Sequence, residues 1–237
     1  MSIDPHRRAL FSGTFALLAA TALPAPAQEQ DTPDATAPEP NADTTADTTA
    51  DAPTDATPSD GDTGVLVGDV AIGADDAPVT IIEYASFTCP HCADFHIDTW
   101  PEIKRRYVDT GKVRFVLREI YFDRFGLWAS IVARCGGAAG FYPLTDAILK
   151  AQRDWMRADD VVDGLMKVGR INGLTTERMR ACLSDREAAL ALVEGFRENS
   201  ARDQVQSTPT FLINGQAHRG NMDIEEFSEL IEGALQG

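Results

Sequence analysis

The sequence predicts an α/β fold in which a small sheet-and-helix core is interrupted by a block of helices. Two observations carry this. Thr80-Ile81-Ile82-Glu83-Tyr84-Ala85 is a β-branched and aromatic run, a buried strand by composition, and a helical stripe begins soon after it. Residues 123–200 then read almost entirely as helix, and strand signals return only beyond residue 207.

The helix after the first strand is read from Cys92, Phe95, His96, Thr99, Trp100, Ile103 and Tyr107, which recur at three- and four-residue spacing. Pro90 suits its first turn, where a missing N–H costs nothing, and Pro101 should kink it. Asp109-Thr110-Gly111-Lys112 closes the helix and residues 113–121 form a second strand, completing a β-α-β unit. Inside the helical block Ser184 and Glu187 have capping-box spacing, opening a helix through Leu190, Val193 and Phe196. Residues 208–214 make a third strand, and Asn214-Gly215 signals a hairpin into a short fourth. Asp223 and Glu226 open a last helix with Ile224, Phe227, Leu230 and Ile231 facing inward. Trp100, Trp128 and Trp155 are expected in the core or lining a groove.

The chain ahead of this core has a different character. Residues 1–27 read as a secretory signal peptide: Arg7 and Arg8 start it, residues 9–23 are apolar, and Ala25-Pro26-Ala27 offers a cleavage site. At about 15 residues the apolar run is short for a membrane span, so an uncleaved anchor is the weaker reading. The arginine pair also admits twin-arginine export. Residues 28–64 form an Ala/Thr/Asp/Pro tract with too little apolar area to offset ordering entropy, and are expected to be a disordered linker. The linker holds ten acidic and no basic residues, so most of the net charge of −16 belongs to it and not to the fold. That balance argues against nucleic acid as a partner.

All four cysteines, Cys89, Cys92, Cys135 and Cys182, lie beyond the linker. In an exported protein an even count suggests two disulfides, and spacing makes Cys89–Cys92 with Cys135–Cys182 the simplest pairing. Free buried thiols are the alternative for the second pair. Cys89-Pro90-His91-Cys92 sits at a strand-to-helix junction, which places Cys89 at a helix N-terminus. Unpaired N–H groups and the positive end of the helix dipole stabilise a thiolate there, and His91 can add a donor or a positive charge. Such thiols have pKa values of roughly 3.5–7.5, and a dithiol stabilised in its reduced form is an oxidant. Cys92, one turn further in, would resolve mixed disulfides. A purely structural disulfide is one competing reading. A metal site is another, since Cys89, Cys92 and His96 have ligand-like spacing, although no fourth ligand is evident nearby.

Phe87-Thr88-Cys89-Pro90-His91-Cys92 after a strand, then a helical block, then Thr208-Pro209-Thr210-Phe211, resembles the DsbA family of thioredoxin-fold oxidases. The resemblance covers residues 65–237 and implies a thioredoxin fold with an inserted helical domain at about 123–200. It further implies Pro209 as a cis-proline facing the dithiol, Thr208 beside it contacting substrate backbone, and Glu83 as a buried proton-relay acid. A solvent-wetted edge position is the alternative for Glu83. Cys135–Cys182 would be the second, structural or regulatory disulfide of some members. A periplasmic monomer follows, needing no cofactor or metal, acting on reduced exported proteins and reoxidised by a membrane partner of the DsbB type. An isomerase or reductase using the same dithiol is the competing function.

Overall fold

The computed structural model describes residues 64–237. The expected signal peptide, and all of the linker except Gly64, lie outside the described residues. The first half of the fold runs β1 (Ala71–Ile72), β2 (Val79–Ala85), α1 (Pro90–Asp98), α2 (Trp100–Ile103), a π-helical turn (Lys104–Val108) and β3 (Val113–Glu119). Six helices follow: α3 (Arg124–Arg134), α4 (Gly137–Lys150), α5 (Gln152–Met156), α6 (Val161–Ile171), α7 (Thr176–Ser184) and α8 (Arg186–Arg202). The chain then closes with β4 (Thr210–Ile213), β5 (Gln216–Arg219) and α9 (Ile224–Gln236). Sheet order is β1-β3-β2-β4-β5, with β2 and β3 parallel and the other pairs antiparallel. This is the predicted α/β core, with the helices entering between β3 and β4.

β2 is central, and both faces of the sheet are covered. Its alternation sends Ile81, Glu83 and Ala85 one way and Ile82 and Tyr84 the other. On the first face Phe95 of α1 meets Phe211 at 4.7 Å and Phe227 of α9 at 5.5 Å, and Trp100 lies 4.1 Å from Phe115. On the second, Tyr84, Ile120 and Leu212 form a smaller cluster closed by Phe196 of α8 and Val205. The predicted stripe of α1 is buried at every position from Cys92 to Tyr107. Pro101 has a larger effect than a kink. Its ring excludes the carbonyl four residues back and it offers no N–H, so the helix breaks at Thr99 and restarts as α2. The Thr99 hydroxyl then donates to the Met222 carbonyl at 2.9 Å, tying the break to the start of α9.

One expectation is corrected, and one strand was not foreseen. The cap of α8 is Asp185, which accepts from Ala188 N at 2.9 Å, while the Ser184 hydroxyl donates back to Arg180 O within α7. The helices on either side of Asp185 abut, so the spacing of Ser184 and Glu187 spans two elements. Leu190 points to solvent, and Ala188 and Leu192 are the buried residues of α8. β1 went unread because two residues carry no period. It is placed by Gly73, whose φ of +101° and close approach to the Val113 carbonyl leave no room for a Cβ.

Other signals behave as read. Asn214 and Gly215 both take positive φ in a two-residue hairpin, and Asp223 caps α9 through Glu226 N at 2.9 Å. Cys135 at the end of α3 is bonded to Cys182 of α7, closing a loop of 47 residues. Arg134 is buried against Glu119 with two bonds of 2.6 Å and donates to the carbonyls of Leu66 and Gly68. It thereby fastens the first described residues to β3 and α3.

Arg134→Met leaves the Glu119 carboxylate buried without its partner and should cost about 3–5 kcal/mol in urea unfolding. Replacing both residues by apolar ones should restore much of that loss. Cys135→Ser with Cys182→Ser should lower stability by about 2–4 kcal/mol, from the loop released in the unfolded chain.

Candidate active site

The end of β2 delivers the chain to the N-terminus of α1, and Cys89 is the N-cap residue, extended at φ −83° and ψ 121°. No side chain caps this helix, so its first N–H groups face the Cys89 sulfur. Pro90 follows at the first helical position, as its fixed φ favours. The loop is clamped from several sides. Cys89 N donates to Ser86 O at 3.1 Å, and the Thr88 hydroxyl donates to Asp123, the cap of α3, at 3.0 Å. Gln152 of α5, itself buried, donates to the carbonyls of Phe87 at 2.8 Å and Cys89 at 2.9 Å. The Thr208–Pro209 peptide is cis, and Thr208 O accepts from Cys89 Sγ at 3.5 Å.

Both cysteines are buried and unbonded to each other, so the structure is that of the dithiol. Their electrostatics diverge. Cys89 is lowered from 9.0 to about 5, chiefly by a hydrogen bond from Cys92, against the opposing effect of burial. The Thr208 side chain and the main-chain N–H groups of Cys92 and His91 assist. Cys92 is pushed well above 9.0, first by burial, then by its bond to Cys89 and by the negative charge of Glu83. His91 reaches the sulfur through its backbone. Its imidazole is 69% exposed and lies 4.0 Å from Asp94.

Glu83 is fully buried, which removes the solvent-edge alternative. Its Oε2 lies 3.0 Å from Nε2 of His96, and Nδ1 of His96 lies 3.0 Å from Asp146 of α4. With both ring nitrogens engaged, His96 has none to offer a metal ion. Among the described residues no group of three His, Cys, Asp or Glu side chains is arranged to hold one.

A family model described as thioredoxin matches residues 66–233. The chain belongs to the thioredoxin family. Within that family it is of the DsbA type, as the active-site hexapeptide and the Thr-Pro loop suggested. A Rickettsia bellii protein, provisionally named a protein-disulfide oxidoreductase, is 34% identical over 71% of this chain and 65% of its own length. The chain thus spans under two thirds of that relative. The crystal structure of alpha-DsbA1 from Wolbachia pipientis superposes with a TM-score of 0.68 at 25% identity, covering 72% of this chain and 92% of that one. Oxidised BdbD from Bacillus subtilis gives 0.64 at 25%, over 71% and 94%.

Of the residues singled out from sequence, this thioredoxin-family structure brings together Cys89, Cys92, Thr208, Pro209 and Glu83. Cys135 and Cys182 pair apart from them, in the helical block. Gln152 and Asp146 were missed. Both belong to helices of the inserted block, and single polar residues on a helix carry no signal for the strand they will meet.

The thiolate absorbance of the reduced protein should titrate with a midpoint near 5. Cys92→Ala deletes the leading donor, so its midpoint should lie higher. A depressed folded pKa stabilises the fold above the unfolded value of 9.0, and the gain is lost as pH falls through 5. Reduced protein should therefore lose stability relative to Cys89→Ser between pH 9 and 5, measured by denaturant unfolding.

Proposed function

We propose that the protein is an exported thiol:disulfide oxidoreductase that introduces disulfides into secreted or periplasmic proteins. The observation that carries this is the inequality of the two cysteines. A substrate thiolate attacks Sγ of Cys89 in the oxidised pair, the bond to Cys92 breaks, and Cys92 leaves and takes up a proton. A second substrate thiolate then attacks the substrate sulfur of the mixed disulfide and expels Cys89 as a stabilised thiolate. Two electrons pass from the substrate dithiol to Cys89 and Cys92. Because the product thiolate is so stabilised, the equilibrium favours transfer of the disulfide outward.

Glu83 is the acid that exchanges a proton with Cys92, and its burial and its charge effect on Cys92 support this. Thr208 and Pro209 border the sulfur and would hold the substrate backbone beside it, a use of a free peptide edge. His91 tunes Cys89. Residues 1–27 would direct export, with cleavage near Ala27, and the mature chain would act as a periplasmic monomer, without cofactor, on reduced exported proteins. A membrane partner of the DsbB type would reoxidise it. No helix among the described residues is long and apolar enough to cross a membrane.

Cys92→Ala, expressed as the full chain in its exporting host, should accumulate mixed disulfides through Cys89 that a reductant releases. An absence of such adducts would sink the proposal. A reduction potential close to thioredoxin's, about −270 mV, in place of one well above it would make the protein a reductase or isomerase.

A further inference from the structure

Glu83 binds His96 through one oxygen only. Its other oxygen, Oε1, is buried and has no hydrogen-bond partner. An unmatched carboxylate oxygen in the core costs free energy unless something uses it. Cys92 feels the Glu83 charge, and it must gain and lose a proton although it is wholly buried. The opposite end of the cluster is different. His96 is fully buried, but Asp146, bonded to its Nδ1, keeps 25% of its side chain exposed.

We propose that His96 and Asp146 form the outer half of a buried proton path, with His96 as the positioning residue that supplies Glu83. This rests on the oxidase reading above and deepens it. His96 Nε2 occupies Oε2 and so leaves Oε1 free for the proton exchange with Cys92. When Cys92 is expelled as a thiolate, it takes a proton by way of Glu83, which is made good from Nε2 of the imidazolium, so that the carboxylate ends charged as it began. The ring, left neutral, takes up a proton from water on its Asp146 side. When the disulfide re-forms, the imidazolium first gives a proton back to that water, and the proton of Cys92 then passes through Glu83 to the neutral ring. One proton is thus taken from water when the pair is reduced and returned when it is oxidised, and no bond other than N–H, O–H and S–H changes along the path. Asp146 carries the counter-charge at Nδ1 and opens the ring to water, where it is reloaded.

The electrostatics agree with this use. Burial alone would strip the proton from His96, but Glu83 and Asp146 outweigh it and hold the ring up at about 9. The ring is therefore charged at neutral pH. The titratable groups facing the cluster are Glu83 from β2, Cys92 from α1, and Asp146 and Tyr142 from α4; Phe95 and Trp100 give only ring contacts.

The test is the reaction of reduced full-length protein with oxidised glutathione, followed as two steps. Cys89 first forms the mixed disulfide; Cys92 then loses its proton and releases glutathione. His96→Gln should slow the second step about tenfold or more, with little effect on the first. Asp146→Asn should slow it less and shift the alkaline limb of its pH profile below 9, since one of the two carboxylates holding the ring charged is gone. Asp146 is at the surface, so this variant decides the matter if His96→Gln does not fold. Second-step rates and pH profiles matching wild type in both variants, or in Asp146→Asn alone if the other is unfolded, would overturn the proton path. Failure of wild type itself to form the mixed disulfide through Cys89 would instead overturn the oxidase reading.

Discussion

The grip on the first turn of α1 is the constraint from which the chemistry follows. A helix N-terminus stabilises an anion only if its N–H groups stay aimed at one point, and here that point is the Cys89 sulfur. The aim is maintained from outside the turn. Gln152 holds two carbonyls of the loop from the helical block, Asp123 holds Thr88 from the start of α3, and Thr208 closes the remaining side from the β4 approach. The inserted helices thus do more than enlarge the core. They supply two of the three clamps on a loop that a bare sheet-and-helix unit would leave to water.

β2 carries a second consequence of its alternation. Neighbouring residues, Glu83 and Tyr84, face opposite sides of the sheet and anchor separate polar clusters. Glu83 joins His96 and Asp146 under α1. On the far face the Tyr84 hydroxyl bonds to Asp203 at the end of α8, and Arg118 bridges Tyr84, Asp203 and Asp69. The far cluster is partly exposed and fixes α8 and the N-terminal segment to the sheet. The near cluster lies behind Phe95 and Trp100, reaches solvent at Asp146, and adjoins the dithiol. Low effective dielectric makes the same charges count for more there, so one strand provides a structural fastening on one face and a reactive environment on the other.

Much of this could be read from the chain because local chemistry and tertiary context agree along it. The β-branched run of β2, the apolar stripe of α1 and the Asn214-Gly215 turn each specify themselves within a few residues. The site was legible where it is a contiguous motif, at Cys89 to Cys92, and where a family pattern supplied the distant Thr208-Pro209. What escaped is non-local. His96 reads as one more buried position of a helical stripe, and only the register of β2 against α1 shows that it meets Glu83. Asp146 and Gln152 lie on amphipathic helices whose polar residues ordinarily face water. The cap of α8 was misplaced for a related reason: two helices abut at Asp185, and spacing rules assume that a cap belongs to one helix.

The two thiols also set limits on each other. The hydrogen bond from Cys92 is the leading cause of the low Cys89 pKa, and the same bond raises Cys92, as do burial and Glu83. Lowering one therefore requires keeping the other protonated. A buried Cys92 beside a carboxylate meets that requirement, but it then resists the deprotonation needed when the disulfide re-forms. The site can be a strong oxidant and still turn over only if a proton acceptor stands within reach of Cys92. Glu83 is the buried acid whose charge Cys92 feels, and its free oxygen is what an acceptor in that position would need. The unsatisfied carboxylate oxygen and the unequal thiols are thus two sides of one arrangement, since the asymmetry that favours oxidation also makes a buried base necessary.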